Sequence, residues 1–463
     1  MCSLLKLFTV RGKINVGFSP RSVLWIPANE TNMNTTRHSP FFYGWVIIAV
    51  GMITGMLVYG ARHSFSVFFP EILDEFGWSR GSTALMMSIN VFIYGLMAPV
   101  AGTLGGRWKP KIMMPAGVIL LALALIGCSF AHRLWHFYLF FGVVVPVGTA
   151  LCGWPIISPA LMNWFATRRG LVLGLGQMGG GFSFVYGLMA EYLIRQLGWR
   201  SAYLALAVIL IAILLPLHHF VFHYHPKSKG LKAYDSEDPE TEKAVKDRVI
   251  SRNWTMPQML HTYQLWLLVL SYFLFWGISC FMVLSHQIKY AEDAGYSSMF
   301  AVSVFALYGV AMLVGQFSGV MSDRIGREKT MALSSAAALV GLLSLIAVRD
   351  TSQPWLLYVY AVGFGYGAGL FSAVISAGTA DMFYGKHFGT ASGILLTGMG
   401  MGGCVGPWLG GYLYDISGSY DLAFMLCMAC VALASVSFWI AAPRNADKLH
   451  ARFLKKHPDK NPS

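Results

Sequence analysis

Charge is what this sequence has least of. Asp, Glu, Lys and Arg make up 12% of its 463 residues, about half of what soluble globular domains carry. Apolar residues reach 56% and mean hydropathy is +0.56, so water could not solvate the surface and a string of soluble domains is excluded. Proline is sparse, 19 residues against 49 glycines, which excludes collagen-like and proline-rich disordered chains. Acids are fewer than bases, 21 against 34, yet the net charge of +13 does not imply a nucleic-acid partner. Most Lys and Arg lie in short segments between long apolar runs, where membrane proteins carry their orientation signals. Of the seven cysteines, all but Cys2 (Cys128, Cys152, Cys280, Cys404, Cys427 and Cys430) fall inside apolar runs, so a disulfide framework is not expected. The C-x-x-C of Cys427 and Cys430 reads as two small core thiols. The sequence has no P-loop, no H-E-x-x-H and no acid pair; ATP hydrolysis, metal chemistry and an embedded enzyme are set aside, and no cofactor is implied.

A helix needs about 20 apolar residues to cross the hydrocarbon core, because its backbone groups must be satisfied within the segment. Twelve stretches qualify, near residues 42–69, 82–105, 112–131, 136–162, 170–194, 199–222, 263–288, 297–320, 330–348, 354–380, 388–413 and 420–442. The long polar interval from His223 to about Met259 carries seven Lys and Arg and six acids. It reads as a solvated linker with a short amphipathic helix near 240–252, and it divides the spans six and six. The expected layout is a tail over 1–41, a six-helix bundle over 42–222, a linker over 223–262, a second bundle over 263–443 and a basic tail over 444–463. Residues 1–41 have no credible signal-peptide cleavage site, and Met33 is a candidate start. With the N-terminus inside, 27 Lys and Arg fall on inner segments and six on outer ones, which predicts that both termini and the linker are cytoplasmic. Arg62 alone is within a span.

Internal repeats agree with this division. Gly102-Thr-Leu-Gly-Gly106-Arg107 follows the second span, and Gly319-Val-Met-Ser-Asp323-Arg324-Ile-Gly326-Arg327 follows the eighth, 217 residues later. Gly170, Gly174, Gly179 and Gly181 recur as Gly389, Gly393, Gly398 and Gly400, each 219 residues later. The expected fold is therefore all-α, with twelve transmembrane helices in two pseudo-symmetric six-helix bundles. Parallel duplication is the architecture of rocking transporters that bind substrate between their halves. Two G-x-G-x-x-G matches, at Gly174–Gly179 and Gly398–Gly403, lack the strand that a dinucleotide site requires and read as close helix packing.

The repeated motif resembles G-x-[LM]-x-D-R-x-G-R of the major facilitator superfamily. The second copy is nearly complete; the first has Gly106 where the acid belongs and Lys109 and Pro110 in place of Gly and Arg. Within that superfamily the chain resembles the monocarboxylate transporters and the oxalate/formate-antiporter branch. The matches are Tyr43-Gly44-Trp45, Ser64 to Phe69, Phe76-Gly77-Trp78-Ser79, Trp164-Phe165-x-x-Arg168-Arg169-Gly170 and Gly411 to Tyr420, within about 41–443. The resemblance implies a multi-pass cell-membrane protein, in a bacterial inner membrane, for which a monomer suffices. It implies Arg107, Arg168, Arg169, Asp323, Arg324 and Arg327 as gating residues. The family's helix-eight aspartate and arginine align on Ala311 and Gly315, so the usual carboxylate-binding cation is missing; the neighbouring Gln316 remains a polar candidate.

Ionisable groups at membrane depth are costly and mark function. Tyr59, Arg62, His63 and Ser66 stand at i, i+3, i+4 and i+7 on one face of the first span. A guanidinium matches a carboxylate with two parallel donors, although Arg62 could also reach back to the outer interface. His63 aligns with a lysine that the animal monocarboxylate carriers need for proton and substrate entry. A histidine there is either a proton-coupling group or a hydrogen-bonded cavity residue. In the seventh span Tyr272, Trp276, Ser279, Val283 and His286 form a second stripe, and His286 sits where bacterial relatives often have histidine. Asn90, Tyr94, Tyr186, Tyr308 and Tyr366 are further candidates. The expected function is secondary transport of a small organic anion, a monocarboxylate, with protons as the coupling partner. An organic-anion exchanger and a non-transporting sensor are the alternatives.

Overall fold

The computed structural model describes residues 42–107, 110–165, 169–234, 256–383 and 388–445. The tail before Phe42, the helix expected near 240–252 and the tail after Asn445 lie outside the described residues. Ten helices among the described residues are long and apolar enough to cross a membrane. One, Val172–Val221, is 50 residues long and contains two spans, because Gly198 adopts φ 76° and ψ 157°, a conformation open to glycine alone. The 30-residue helix Phe388–Ser417 is the remaining span, which brings the described spans to twelve.

In chain order they are α1 (Gly44–Phe76), α2 (Arg80–Arg107), α3 (Pro110–Ser129), α4 (Leu134–Trp164), α5 (169–197), α6 (199–221), α7 (Tyr263–Asp293), α8 (Ser298–Ile325), α9 (Arg327–Ala347), α10 (Trp355–Phe383), α11 (Phe388–Ser417) and α12 (Asp421–Ala441). Several run further than their apolar cores predict. α1 continues past residue 69 through Pro70, Glu71, Asp74 and Glu75, and stops where Gly77 turns left-handed at φ 64°. α7 likewise continues past residue 288 to Asp293. Hydropathy marks the part inside lipid, whereas the helix ends where a backbone breaker stands.

Two spans include π-helical turns, Tyr138–Val144 in α4 and Phe273–Cys280 in α7. A π turn holds more residues than an α turn, so it rotates everything downstream relative to an unbroken helix. α4 also breaks at Gly153 (φ −93°, ψ −149°), beside α1.

The two halves meet along α2 and α11, and again along α5 and α8. Small residues allow backbones to approach there. A Cβ built on Gly95 would stand 3.0 Å from the Gly400 Cα, and one on Gly181 would overlap Leu313. Of the two G-x-G-x-x-G matches, Gly179 packs on the Met52 carbonyl and Gly403 on Val91, as close packing requires, but Gly174 meets nothing within 4 Å.

The contacts between halves concentrate on the face away from the linker. Ser66 Oγ on α1 donates to the Leu284 carbonyl on α7, Ser88 Oγ on α2 accepts from the Trp408 amide on α11 at 3.0 Å, and Lys289 on α7 pairs with Asp74 on α1 at 3.1 Å. On the linker face the ion pairs of Arg327 stay inside the second half, and Gly174 and Gly393 face open space. The far side is closed and the crevice opens toward the linker.

Candidate functional site

Arg62 lies at the seam between the halves and does not reach out to the interface. It is 3% exposed. Its guanidinium carbon stands 4.8 Å from the Tyr94 ring centroid on α2 and 5.4 Å from that of Phe281 on α7, one ring from each half. Nε and Nη2 are buried without a hydrogen-bond partner. Ring faces attract a cation but accept no hydrogen bonds in its plane, so these donors remain available to an anion.

The rest of the α1 stripe gathers around it. Tyr59 and Tyr94 share a hydroxyl hydrogen bond of 2.9 Å. Gly153 faces the Tyr59 hydroxyl, and a Cβ there would be 3.6 Å away. The Nδ1 of His63 bonds the Ser183 hydroxyl at 2.8 Å, at the turn that interrupts α5. The imidazole stacks on Phe184 at 4.4 Å; Phe184 in turn meets Phe305 and Tyr308 of α8 at 5.0 and 5.1 Å. His63 thus stands one ring away from the second half. Ser66 is committed to the α7 backbone.

The α7 stripe does not survive as one face. Tyr272 stacks toward Phe371 on α10, and Trp276 Nε1 donates to Ser372 Oγ on α10 at 2.8 Å. Beyond the π turn, Ser279 turns to the Cys427 carbonyl on α12, Val283 is fully buried and His286 turns to α11 and α12. His286 Nε2 is 2.8 Å from the Pro407 carbonyl and Nδ1 is 3.1 Å from the Tyr420 hydroxyl. It is fully buried with both ring nitrogens partnered, a position that departs from the expected crevice stripe. The Phe273–Cys280 π turn is the physical cause. Tyr366 on α10 is half-buried and its carbonyl packs on Gly315; Gln316 is half-buried on α8.

Of the expected gating residues, Asp323 and Arg327 come together at the α8–α9 turn. Arg327 reaches Asp323 at 2.6 Å and Asp381 on α10 at 2.8 Å, and it also bonds Ser322. Arg324 is exposed. Arg107 ends α2 and Arg169 begins α5, but their side chains, and all of Arg168, lie outside the described residues.

A two-half bundle of twelve spans with repeated glycine-rich turns and a buried cation at the seam has a direct counterpart among known proteins. The Major Facilitator Superfamily profile matches residues 51–366 and 316–460. The chain belongs to the Major Facilitator Superfamily. Its similar superfamily members include monocarboxylate transporter 12 of Rattus norvegicus, 26% identical over 435 residues that cover 90% of this chain and 89% of the relative. Monocarboxylate transporter 11 of Homo sapiens is 26% identical over 447 residues, 92% and 88% of the two chains. Among solved structures, a bacterial homolog to the human lysosomal transporter Spinster, inward-facing and unoccupied, superposes with a TM-score of 0.60 at 15% identity over 92% of this chain and 99% of that one. That likeness establishes the superfamily fold, and superfamily members are transporters rather than enzymes.

The sequence reading missed three features around the site. Phe281 and Ser372 are ordinary residues in a span, and nothing local marks them. Arg80 counted only as an outer-loop cation, although its partners are in the other half, 213 and 335 residues away.

Proposed function

We propose that this protein is a secondary transporter of a small organic anion, a monocarboxylate, working by alternating access with proton coupling. The observation that carries the reading is Arg62: a buried guanidinium at the seam, with Nε and Nη2 unpartnered and a ring from each half beside it. A buried charge lacking hydrogen bonds is costly, and a carboxylate of the substrate would supply both the counter-charge and two acceptors. The acids described in ion pairs stand near the helix ends, as Asp293, Glu191, Asp323 and Asp381 do, so a substrate ammonium would have no partner beside Arg62. One cation suits one negative charge. The names of the curated relatives point to the same substrate class.

His63 is the proton-coupling candidate. It lies one residue from Arg62, half-buried, with Nδ1 on Ser183, so protonation there would act directly on the anion site. His286, with both nitrogens bonded, fits a structural role better. Tyr59, Tyr272, Trp276, Gln316 and Tyr366 supply the walls and polar contacts. Arg327 and Asp323, with the first-half arginines 107, 168 and 169, serve the linker-side gate. The excess of Lys and Arg on linker-side segments favours a cell-membrane orientation with the linker and both termini in the cytoplasm.

The test is uptake of labelled monocarboxylates into proteoliposomes, with and without an inward proton gradient, by the wild type and Arg62→Gln. Gradient-stimulated uptake that Arg62→Gln abolishes supports the reading. Uptake only against preloaded anion indicates an exchanger, and binding without flux indicates a sensor; either overturns proton-coupled transport.

A further inference from the structure

The far face holds a cluster that the sequence motifs do not mark. Arg80, the first residue of α2, belongs to the first half, but the polar groups it binds belong to the second. Its Nη1 reaches Asp293 Oδ2 on α7 at 2.5 Å and the Tyr420 hydroxyl at 3.0 Å. The guanidinium lies 3.7 Å over the Tyr414 ring on α11. Asp415, also on α11, accepts from the Arg80 amide at 3.0 Å with Oδ1 and from the Gly81 amide at 2.8 Å with Oδ2. The opening amides of a helix lack internal acceptors, and here the carboxylate that caps them comes from across the seam, where the positive end of α2 attracts it. Tyr420 is itself fixed, because its hydroxyl meets His286 Nδ1 and the opposite ring nitrogen is held by the Pro407 carbonyl. Gly81 is required for the approach, since a Cβ would be 3.0 Å from both the Asp415 carboxylate and the Tyr412 amide.

We propose that Arg80, Asp415 and Asp293 form the latch that holds the far side of the transporter shut, with Arg80 as its pin and Asp415 as a helix cap lent by one half to the other. These contacts join opposite halves, so all of them must break before substrate can enter or leave on that side. A charged residue whose partners all stand across a seam contributes nothing to the fold of its own half and acts on the balance between open and closed states. His286 belongs to this device: it positions Tyr420 and does not touch the anion site.

The latch rests on the alternating-access reading, but its test needs neither substrate nor knowledge of what is carried. Spin labels at Arg133 and Gln353, exposed far-face loop positions in opposite halves, report the separation of the two halves on that face. The wild type should give one short-distance population. Asp415→Asn, which keeps the side-chain shape, and Arg80→Gln should each raise the ratio of far-open to far-closed molecules by about tenfold or more, since each removes hydrogen bonds to a charged group. The double exchange Arg80→Asp with Asp293→Arg should return part of the short-distance population. Unchanged distance distributions in monodisperse Asp415→Asn would overturn the proposal, even if transport of an anion had already been demonstrated. If Arg80→Gln aggregates, Asp415→Asn alone decides.

Discussion

Replacing Arg62 by methionine should make the substrate-free protein more stable while it abolishes transport, the opposite of what truncating a buried side chain normally does. Two buried donors, Nε and Nη2, have no acceptor. Each such donor costs about 1–3 kcal/mol, so the pair costs about 2–6 kcal/mol. The rings of Tyr94 at 4.8 Å and Phe281 at 5.4 Å return about 2 kcal/mol through cation–π attraction in a desolvated site. Methionine fills much of the same volume without a charge, and replacing buried ions by apolar side chains is known to gain about 1–4 kcal/mol. A net gain of about 1–3 kcal/mol is therefore expected. Extending the size trend of thermal midpoints to a chain of this length, each kcal/mol moves the midpoint by about 1–2 °C. The assay is thermal unfolding of purified wild type, Arg62→Met and Arg62→Lys, each without substrate and then with a saturating monocarboxylate. The wild type should gain about 2.7 kcal/mol at a hundredfold excess over Kd, the methionine variant nothing and the lysine variant less than the wild type, because an ammonium lacks the guanidinium fork. A lower midpoint for substrate-free Arg62→Met would refute the reasoning, since the guanidinium would then be holding the bundle together.

Three other outcomes follow from the same geometry. His63→Gln should remove the pH dependence of uptake between about pH 6 and pH 8 while anion exchange at equal pH continues; a retained pH profile in proteoliposomes assigns the proton to another group. Gly369→Ala would place a Cβ 1.9 Å from the Met312 carbonyl, so α8 and α10 must part, at a cost of about 1–3 kcal/mol. An unaltered unfolding midpoint in that variant would mean the two backbones do not run so close. Arg327→Gln loses the contacts to Asp323 and Asp381 but no bond across the seam, so it should slow transport without changing the far-face distance; a widened far face would contradict the confinement of this cluster to the second half.

The features legible in the sequence are those written in periodicity and repetition. Twelve spans, their six-and-six division and the α1 stripe of Tyr59, Arg62 and His63 follow from local spacing, because α1 is α-helical throughout the stripe. The α7 stripe fails for a local reason of another kind: the π turn at Phe273–Cys280 separates the facing of Tyr272 and Trp276 from that of His286, and no residue type signals it. The far-face latch was illegible because its members are loop-edge charges that look solvated in sequence. Arg80 and Asp415 become a pair only once two halves separated by a long linker are brought face to face.

The Gly95–Gly400 contact has a mechanical consequence. Gly95 is close to the midpoint of α2, so at 1.5 Å per residue about 22 Å of helix extends toward Arg80 and about 18 Å toward Arg107. If the two helices pivot at that crossing, a rigid-body rotation of about 15° displaces each end by about 5 Å, enough to sever every hydrogen bond at one rim while bringing the other rim together. The glycine pair would then act as the fulcrum of a balanced lever, and any side chain added there would lift one beam off the other.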